Sequence, residues 1–212
     1  MTDIASLRRQ YGREHLTRER LDASPFVQFR KWMDEAVGAD LIDANAMSIA
    51  TVGAAGEPSI RTVLLKAFDE RGFVFYTNLE STKATQISEN PNVALLFYWR
   101  EFERQVKIRG AAERISAADV AKYFLTRPRE SQIGAWASPQ SRIIEARKAL
   151  EMKFDELKRK FADGDVPVPS FWGGFRVVPK TIEFWQGGSN RLHDRFQYSR
   201  VQADWHIDQL AP

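Results

Sequence analysis

The chain has 212 residues, with 31 Lys and Arg against 28 Asp and Glu, 43% hydrophobic residues and no cysteine. That length and apolar content suit a single folded domain and exclude wholesale disorder, while the lack of cysteine excludes disulfides and thiolate metal ligands. A formal charge of +3 from interspersed charges argues against a nucleic-acid patch, and no apolar run approaches the roughly 20 residues of a membrane span.

The charged start, residues 1–24, lacks the apolar core of a signal peptide and reads as a mobile segment of a cytoplasmic protein. Within it, Ile4, Leu7 and Tyr11 are spaced for one amphipathic turn. Residues 25–212 read as one domain. Ser24 caps and Pro25 opens a helix whose apolar stripe is Phe26, Phe29, Trp32 or Met33, and Val37. Strand signals follow at Ala46 to Val52, Ser59 to Leu65 and Phe73 to Thr77, separated by the turns Gly53 to Pro58 and Asp69 to Gly72. Ser81 caps a short helix running to about Asn90. Val93 to Trp99 and Gln105 to Arg114 then pair around the turn Arg100 to Glu103. Ser116 and Asp119 form a capping-box variant opening a helix that Pro128 stops. Ser138 to about Phe161 reads as one long charged helix. Strands return at Trp172 to Val178, Thr181 to Gln186, Asp194 to Ser199 and Trp205 to Gln209. Short strands at close spacing point to an α+β fold built on a mainly antiparallel sheet.

Several segments carry anion-binding chemistry. Arg191, His193 and Arg195 follow the turn at Gly187 and Gly188 and share one parity, so in an extended chain all three point to one side. The competing account is a solvated edge strand. In Arg61-Thr62-Val63-Leu64-Leu65-Lys66, strict alternation places Arg61 and Lys66 on opposite faces, serving two different anions unless a bulge intervenes. Ser81-Thr82-Lys83 at a helix start offers N–H groups, hydroxyls and an ammonium to a phosphate. Tyr123 and Arg127 share a helical face, and Ser131 lies beyond the Pro128 break, a set suited to a phosphate monoester. Gln105, Gln140 and Ser141 suit the polar edge of a heterocycle. No metal-ligand spacing, phosphate-loop motif or nucleophile elbow occurs, so redox or group-transfer chemistry falls to an organic cofactor.

Taken together, these segments resemble the pyridoxine (pyridoxamine) 5′-phosphate oxidase family. The resemblance runs collinearly from about Leu7 through Arg61 to Lys66, Phe75 to Asn78, Glu103 to Val106, Tyr123 to Trp136, Pro169 to Arg176, Ile182 to Gly187 and Arg191 to Arg195, ending at Leu210 to Pro212. It implies a Greek-key split-barrel fold with surrounding helices and a homodimer with FMN at the interface. The implied FMN contacts are Arg61, Thr62, Val63, Leu64, Leu65, Lys66, Tyr76, Thr77, Lys83, Gln105, Gln140, Ser141, Trp185 and Arg195. Lys66, Tyr123, Arg127 and Ser131 are implied to hold the substrate phosphate, Arg191 and His193 to flank the substrate ring as catalytic residues, and Arg8 and Tyr11 to fold over the occupied site.

The reaction so implied is hydride transfer from C4′ of pyridoxamine or pyridoxine 5′-phosphate to flavin N5, with dioxygen reoxidising the flavin to give hydrogen peroxide and pyridoxal 5′-phosphate as product. Its rivals are a non-catalytic carrier of FMN or pyridoxal phosphate, a split-barrel flavin reductase acting on another substrate, and a basic nucleic-acid binder. One position departs from the pattern: Thr82 stands where the family often has Arg, which implies a looser hold on the FMN phosphate.

Overall fold

In the computed structural model, which describes residues 2–7, 10–12 and 15–212, the apolar runs between turn signals form a single nine-stranded antiparallel sheet. Its strands are β1 Ala46–Val52, β2 Pro58–Leu64, β3 Ala67–Asp69, β4 Gly72–Asn78, β5 Asn92–Trp99, β6 Arg104–Arg114, β7 Trp172–Gln186, β8 Asp194–Val201 and β9 Asp204–Gln209. Five helices surround them: α1 Pro25–Gly38, α2 Thr82–Glu89, α3 Ala117–Thr126, α4 Arg129–Ala137 and α5 Arg147–Lys160. The fold class is therefore α+β with a mainly antiparallel sheet. No helix among the described residues is long and apolar enough to cross a membrane.

The path β2-β1-β5-β6-β7-β4-β3 puts β2 and β3 at opposite ends of seven strands, with β8 and β9 branching from β7. Laid flat, strands about 4.8 Å apart would separate those ends by about 29 Å. Yet only Leu65 and Lys66 lie between Leu64, the end of β2, and Ala67, the start of β3. Three Cα steps reach at most about 11 Å. The sheet must curl until its edges nearly meet, which is the geometry of a split barrel. The Leu65 N–H donates to the Asn45 carbonyl and the Lys66 N–H to the Val74 carbonyl, pinning the link to both sides of the split.

Helix α1 plugs one side of this sheet. Phe29 is fully buried, with its ring 5.0 Å from Phe73, 5.0 Å from Phe97 and 4.8 Å from Phe68. Trp32, Met33 and Ala36 complete the buried stripe, whereas Val37 is exposed, because the contact face is one position narrower than the apolar pattern. A smaller cluster of Val120, Phe124, Ile133, Leu157, Val166 and Trp172 packs α3, α4 and α5 against the start of β7.

Other expectations are corrected. The Ser24 and Ser81 side chains make no capping bond, and the Ser81 hydroxyl instead donates to the Asn78 carbonyl. Ser116 does cap α3, accepting from the Asp119 N–H at 3.1 Å. Pro128 ends α3 and opens α4, since a proline that breaks one helix is tolerated at the start of the next. The long helix does not begin at Ser138: a residue before proline disfavours helical backbone, Ser141 has φ 70°, and α5 starts only at Arg147. β7 is one strand of 15 residues rather than two, its register shifting opposite Arg109 and Gly110. A Cβ at Gly110 would lie 2.1 Å from the Val178 carbonyl oxygen, so that shift requires glycine. Ile4 and Leu7 are exposed and bury no amphipathic face, but Leu16 and Leu21 join the core and the Tyr198 hydroxyl donates to the Asp22 carbonyl. Packing of the domain thus begins before residue 25.

Replacing Phe29 by Ala should cost about 3–5 kcal/mol, through lost burial plus the cavity left among four aromatic rings. Denaturant unfolding at fixed protein concentration measures it, and a loss below about 1 kcal/mol would contradict this account of the core.

Candidate active site

The split between the sheet edges opens into a cavity of about 720 Å³. The end of β2 supplies Arg61, Thr62, Val63 and Leu64, the link supplies Lys66, and β4 supplies Tyr76, Thr77 and Asn78. Helix α2 adds Thr82 and Lys83, the α3–α4 corner adds Tyr123, Arg127 and Ser131, and the following loop adds Ser138, Gln140 and Ser141. Arg61 and Lys66 thus line the same cavity, since β2 ends at Leu64 and alternation does not carry on through the link. Leu65 is instead buried in the core. Asn78, Ser138 and Trp172 line the cavity without having been singled out. Trp172 sits opposite Asn78 in the β4–β7 register, and its one sequence signal was its place in the Pro169 to Arg176 segment of the resemblance.

Among the described residues, four cations, Arg61, Lys66, Lys83 and Arg127, face this cavity, and no carboxylate lines it. The Lys83 ammonium is buried, donating to Gln140 Oε1 at 2.7 Å, Thr77 Oγ1 at 3.0 Å and Ser81 Oγ at 3.3 Å. Burial, then the nearby Arg61 charge, pushes its pKa down to about 8. Arg61 donates only to neutral oxygens, those of Thr51, Ile49, Ser59 and Gln86, and burial lowers its pKa as well. Arg127 lies 4.9 Å over the Trp172 ring, and its Nη1 is buried with no hydrogen-bond partner among the described residues. A buried donor left unpaired costs free energy, so these groups suit an anion that brings acceptors. Tyr76 stacks on Tyr123 at 4.0 Å and on Trp172 at 5.2 Å, forming an aromatic wall beside the cations. The residues present fit an aromatic ligand carrying phosphate.

The remaining candidates gather elsewhere. Gln105 pairs with Trp185 and Trp185 with Arg195 across β6, β7 and β8, so their side chains stand in one row on one face of the sheet. The next row, Val106, Phe184 and Phe196, faces the core. None of Gln105, Trp185, Arg195, Arg191, His193 or Tyr11 lines the cavity of its own chain. The shared face inferred for Arg191, His193 and Arg195 does not form. Ser189–Arg191 is a 3-10 turn with Asn190 at φ 53° and Arg191 at φ 67°, and β8 begins only at Asp194. His193 packs 4.7 Å from the Trp185 ring, and Tyr11 sits edge-on to both. Its Nδ1 accepts the Gly188 N–H at 3.1 Å, which leaves the proton on Nε2. Burial, then Arg191, lowers the His193 pKa against an opposing effect of Asp194, so the ring is neutral near pH 7. Arg8 lies outside the described residues.

A curled antiparallel sheet with a cation-lined, aromatic-walled cavity in its split has the chemistry of a binding protein for aromatic phosphate compounds. Comparison with known proteins narrows that class. The profile of the family described as pyridoxamine 5′-phosphate oxidase matches residues 33–161, and that of the pyridoxine 5′-phosphate oxidase C-terminal dimerisation region matches residues 172–212. A pyridoxine/pyridoxamine 5′-phosphate oxidase of Crocosphaera subtropica is 59% identical over 99% of this chain and all of its own length. The protein of that name from Escherichia fergusonii is 57% identical over the whole chain and 97% of its own length. Among solved structures, PhzG from Burkholderia lata superposes with a TM-score of 0.87 at 30% identity, over 92% of this chain and 95% of that one. The chain belongs to the pyridoxamine 5′-phosphate oxidase family.

Lys83 gives the cavity a pH dependence of fixed sign. Its protonated form attracts phosphate, so affinity for a phosphate ligand should fall as pH rises through about 8. A phosphate monoester loses its second charge only below about pH 6, so the ligand does not set that fall. Fluorescence titration of a flavin phosphate between pH 7 and pH 9.5 tests this. Parallel curves for wild type and Lys83→Met would contradict it.

Proposed function

We propose that the protein is a cytoplasmic FMN-dependent oxidase converting pyridoxamine or pyridoxine 5′-phosphate to pyridoxal 5′-phosphate. The observation that carries this reading is the cavity wall, where the described residues place four cations, no carboxylate and, on Arg127, a buried donor without a partner. Family membership and close relatives bearing that oxidase name support the same chemistry.

On this reading the cavity holds two phosphates. Arg61 and Lys83, with Thr77, Gln140 and Ser141, take that of FMN. Arg127, Tyr123, Ser131 and Lys66 take that of the substrate. Bound FMN supplies the two-electron acceptor and its reoxidation by dioxygen. The protein contributes position: holding the reacting carbon against the ring converts a bimolecular encounter into a local one. Arg191 and His193 flank the substrate ring. With Nδ1 occupied by the Gly188 N–H, His193 presents Nε2–H as a donor, and it gains a second proton only by giving up that bond. Tyr11, already seated against His193 and Trp185, covers this group together with Arg8.

The site is completed by a second chain. The row Gln105, Trp185 and Arg195 lies outside its own cavity, and Trp185 and Arg195 fall in the segment that matches the family's dimerisation region. In a homodimer the row of one subunit meets the cavity of the other, and FMN sits between them.

The test is the visible spectrum of the purified protein during anaerobic addition of pyridoxamine 5′-phosphate. The oxidised-flavin band should bleach and return on admitting air. A flavin that never bleaches, or a protein that cannot take up FMN, would overturn the proposal.

A further inference from the structure

Glu183 is a buried carboxylate on the sheet face, at 7% exposure, and the mechanism above does not use it. Its Oε1 accepts from Arg195 Nε at 2.9 Å and its Oε2 from Arg195 Nη2 at 3.2 Å, a two-pronged grip on one edge of the guanidinium. Lys107 Nζ lies 2.7 Å from Oε2, so one buried anion serves two cations. Arg195 Nη1 donates to the Ala211 carbonyl at 2.7 Å, and the Arg195 carbonyl accepts the Leu210 N–H at 2.9 Å. The end of the chain is therefore tied to the same side chain.

A guanidinium has five N–H donors. Three of those of Arg195 are engaged, by Glu183 twice and by Ala211 once, which leaves two for a ligand. A long side chain normally loses rotamer freedom when it binds, and here that freedom is already gone. The Glu183 charge, shared with Lys107, offsets part of that of Arg195, so Arg195 meets a ligand first as a fixed hydrogen-bond donor. Arg61 and Lys83 differ in this respect, having no carboxylate partner among the described residues. Such a donor suits the uncharged carbonyl and ring-nitrogen edge of a flavin better than its phosphate.

We propose that Glu183, with the Ala211 carbonyl, is a positioning residue that presents Arg195 to the heterocyclic edge of FMN. This rests on the flavin reading above. It makes a prediction whose sign differs from that of plain electrostatics. FMN is an anion, so removing a nearby carboxylate should tighten its binding if charge alone matters. If Glu183 acts by fixing Arg195, Glu183→Gln should weaken binding despite the gain in positive charge.

The experiment titrates FMN into full-length wild-type, Glu183→Gln and Lys107→Met proteins freed of flavin, following flavin fluorescence, with the melting midpoint of each measured in parallel. The proposal expects about tenfold weaker FMN binding for Glu183→Gln, equivalent to about 1.4 kcal/mol. It expects Lys107→Met within about twofold of wild type, because the grip on Arg195 survives. Unchanged or tighter binding by Glu183→Gln would overturn it, as would a loss that only tracks a lowered melting midpoint. If Glu183→Gln does not fold, Glu183→Asp keeps the charge and shortens the reach. Weaker binding by that variant supports the geometric role, and wild-type affinity overturns it. A wild-type protein that takes up no FMN would overturn the flavin reading itself.

Discussion

Two residues hold the architecture to its purpose. Leu65 and Lys66 join the two outermost strands of a seven-strand path, and their short reach forces the sheet to curl. That closure leaves a split instead of a sealed barrel, and the link runs along it. Leu65 turns into the core while Lys66 lines the cavity, so one dipeptide anchors the curl and arms the site. Arg61 to Leu64 on one side and Tyr76 to Asn78 on the other face each other across the opening for the same reason. The aromatic packing of α1 onto the sheet, centred on Phe29, holds the curl from within.

The cations of the molecule fall into two kinds, and the difference carries the functional reading. Arg195, Arg176, Arg104 and Lys107 each have a carboxylate partner. In the cavity, Arg61 and Lys83 contact only neutral oxygens, and Arg127 keeps a buried donor with no partner. Leaving such groups uncompensated costs folding free energy, and Lys83 registers that cost as a lowered pKa. Sites that store strain of this kind are where ligands bind, because an anion relieves it. Arg195 belongs to the compensated kind, which separates it from the cations that line the cavity.

Much of this was legible from sequence because it is local. The strand boundaries of β1, β5, β6 and β9 follow alternation and turn residues closely, and the Ser116 cap is chemistry within four residues. The sequence singled out Arg61, Lys83, Tyr123, Arg127 and Ser131 in separate segments, and the fold does bring them to one cavity. What local pattern could not give was set by tertiary contact. The continuity of β7 depends on a register shift against β6 at Gly110, which no window around Pro179 reveals. The parity argument for Arg191 to Arg195 failed because Asn190 and Arg191 adopt positive φ, turning the chain where alternation assumes extension. Gln105 and Arg195 are 90 positions apart in the chain, yet both become neighbours of Trp185 through strand pairing. Glu183 carried no signal of its own, because a lone acidic residue in a strand is ordinary until its partners are seen.

The central claim is that the functional site is composite, with the cavity of one chain closed by the sheet face of another. Subunit complementation tests it most directly. A cavity variant, Arg61→Ala with Lys83→Met, and a sheet-face variant, Trp185→Ala with Arg195→Ala, should each lose FMN binding alone. Co-expressed, they form mixed dimers in which one site carries every defect and the other carries none. The account predicts that isolated mixed dimers regain FMN binding and turnover at about one site per dimer. Mixed dimers no better than either parent would contradict it and place the whole site within a single chain.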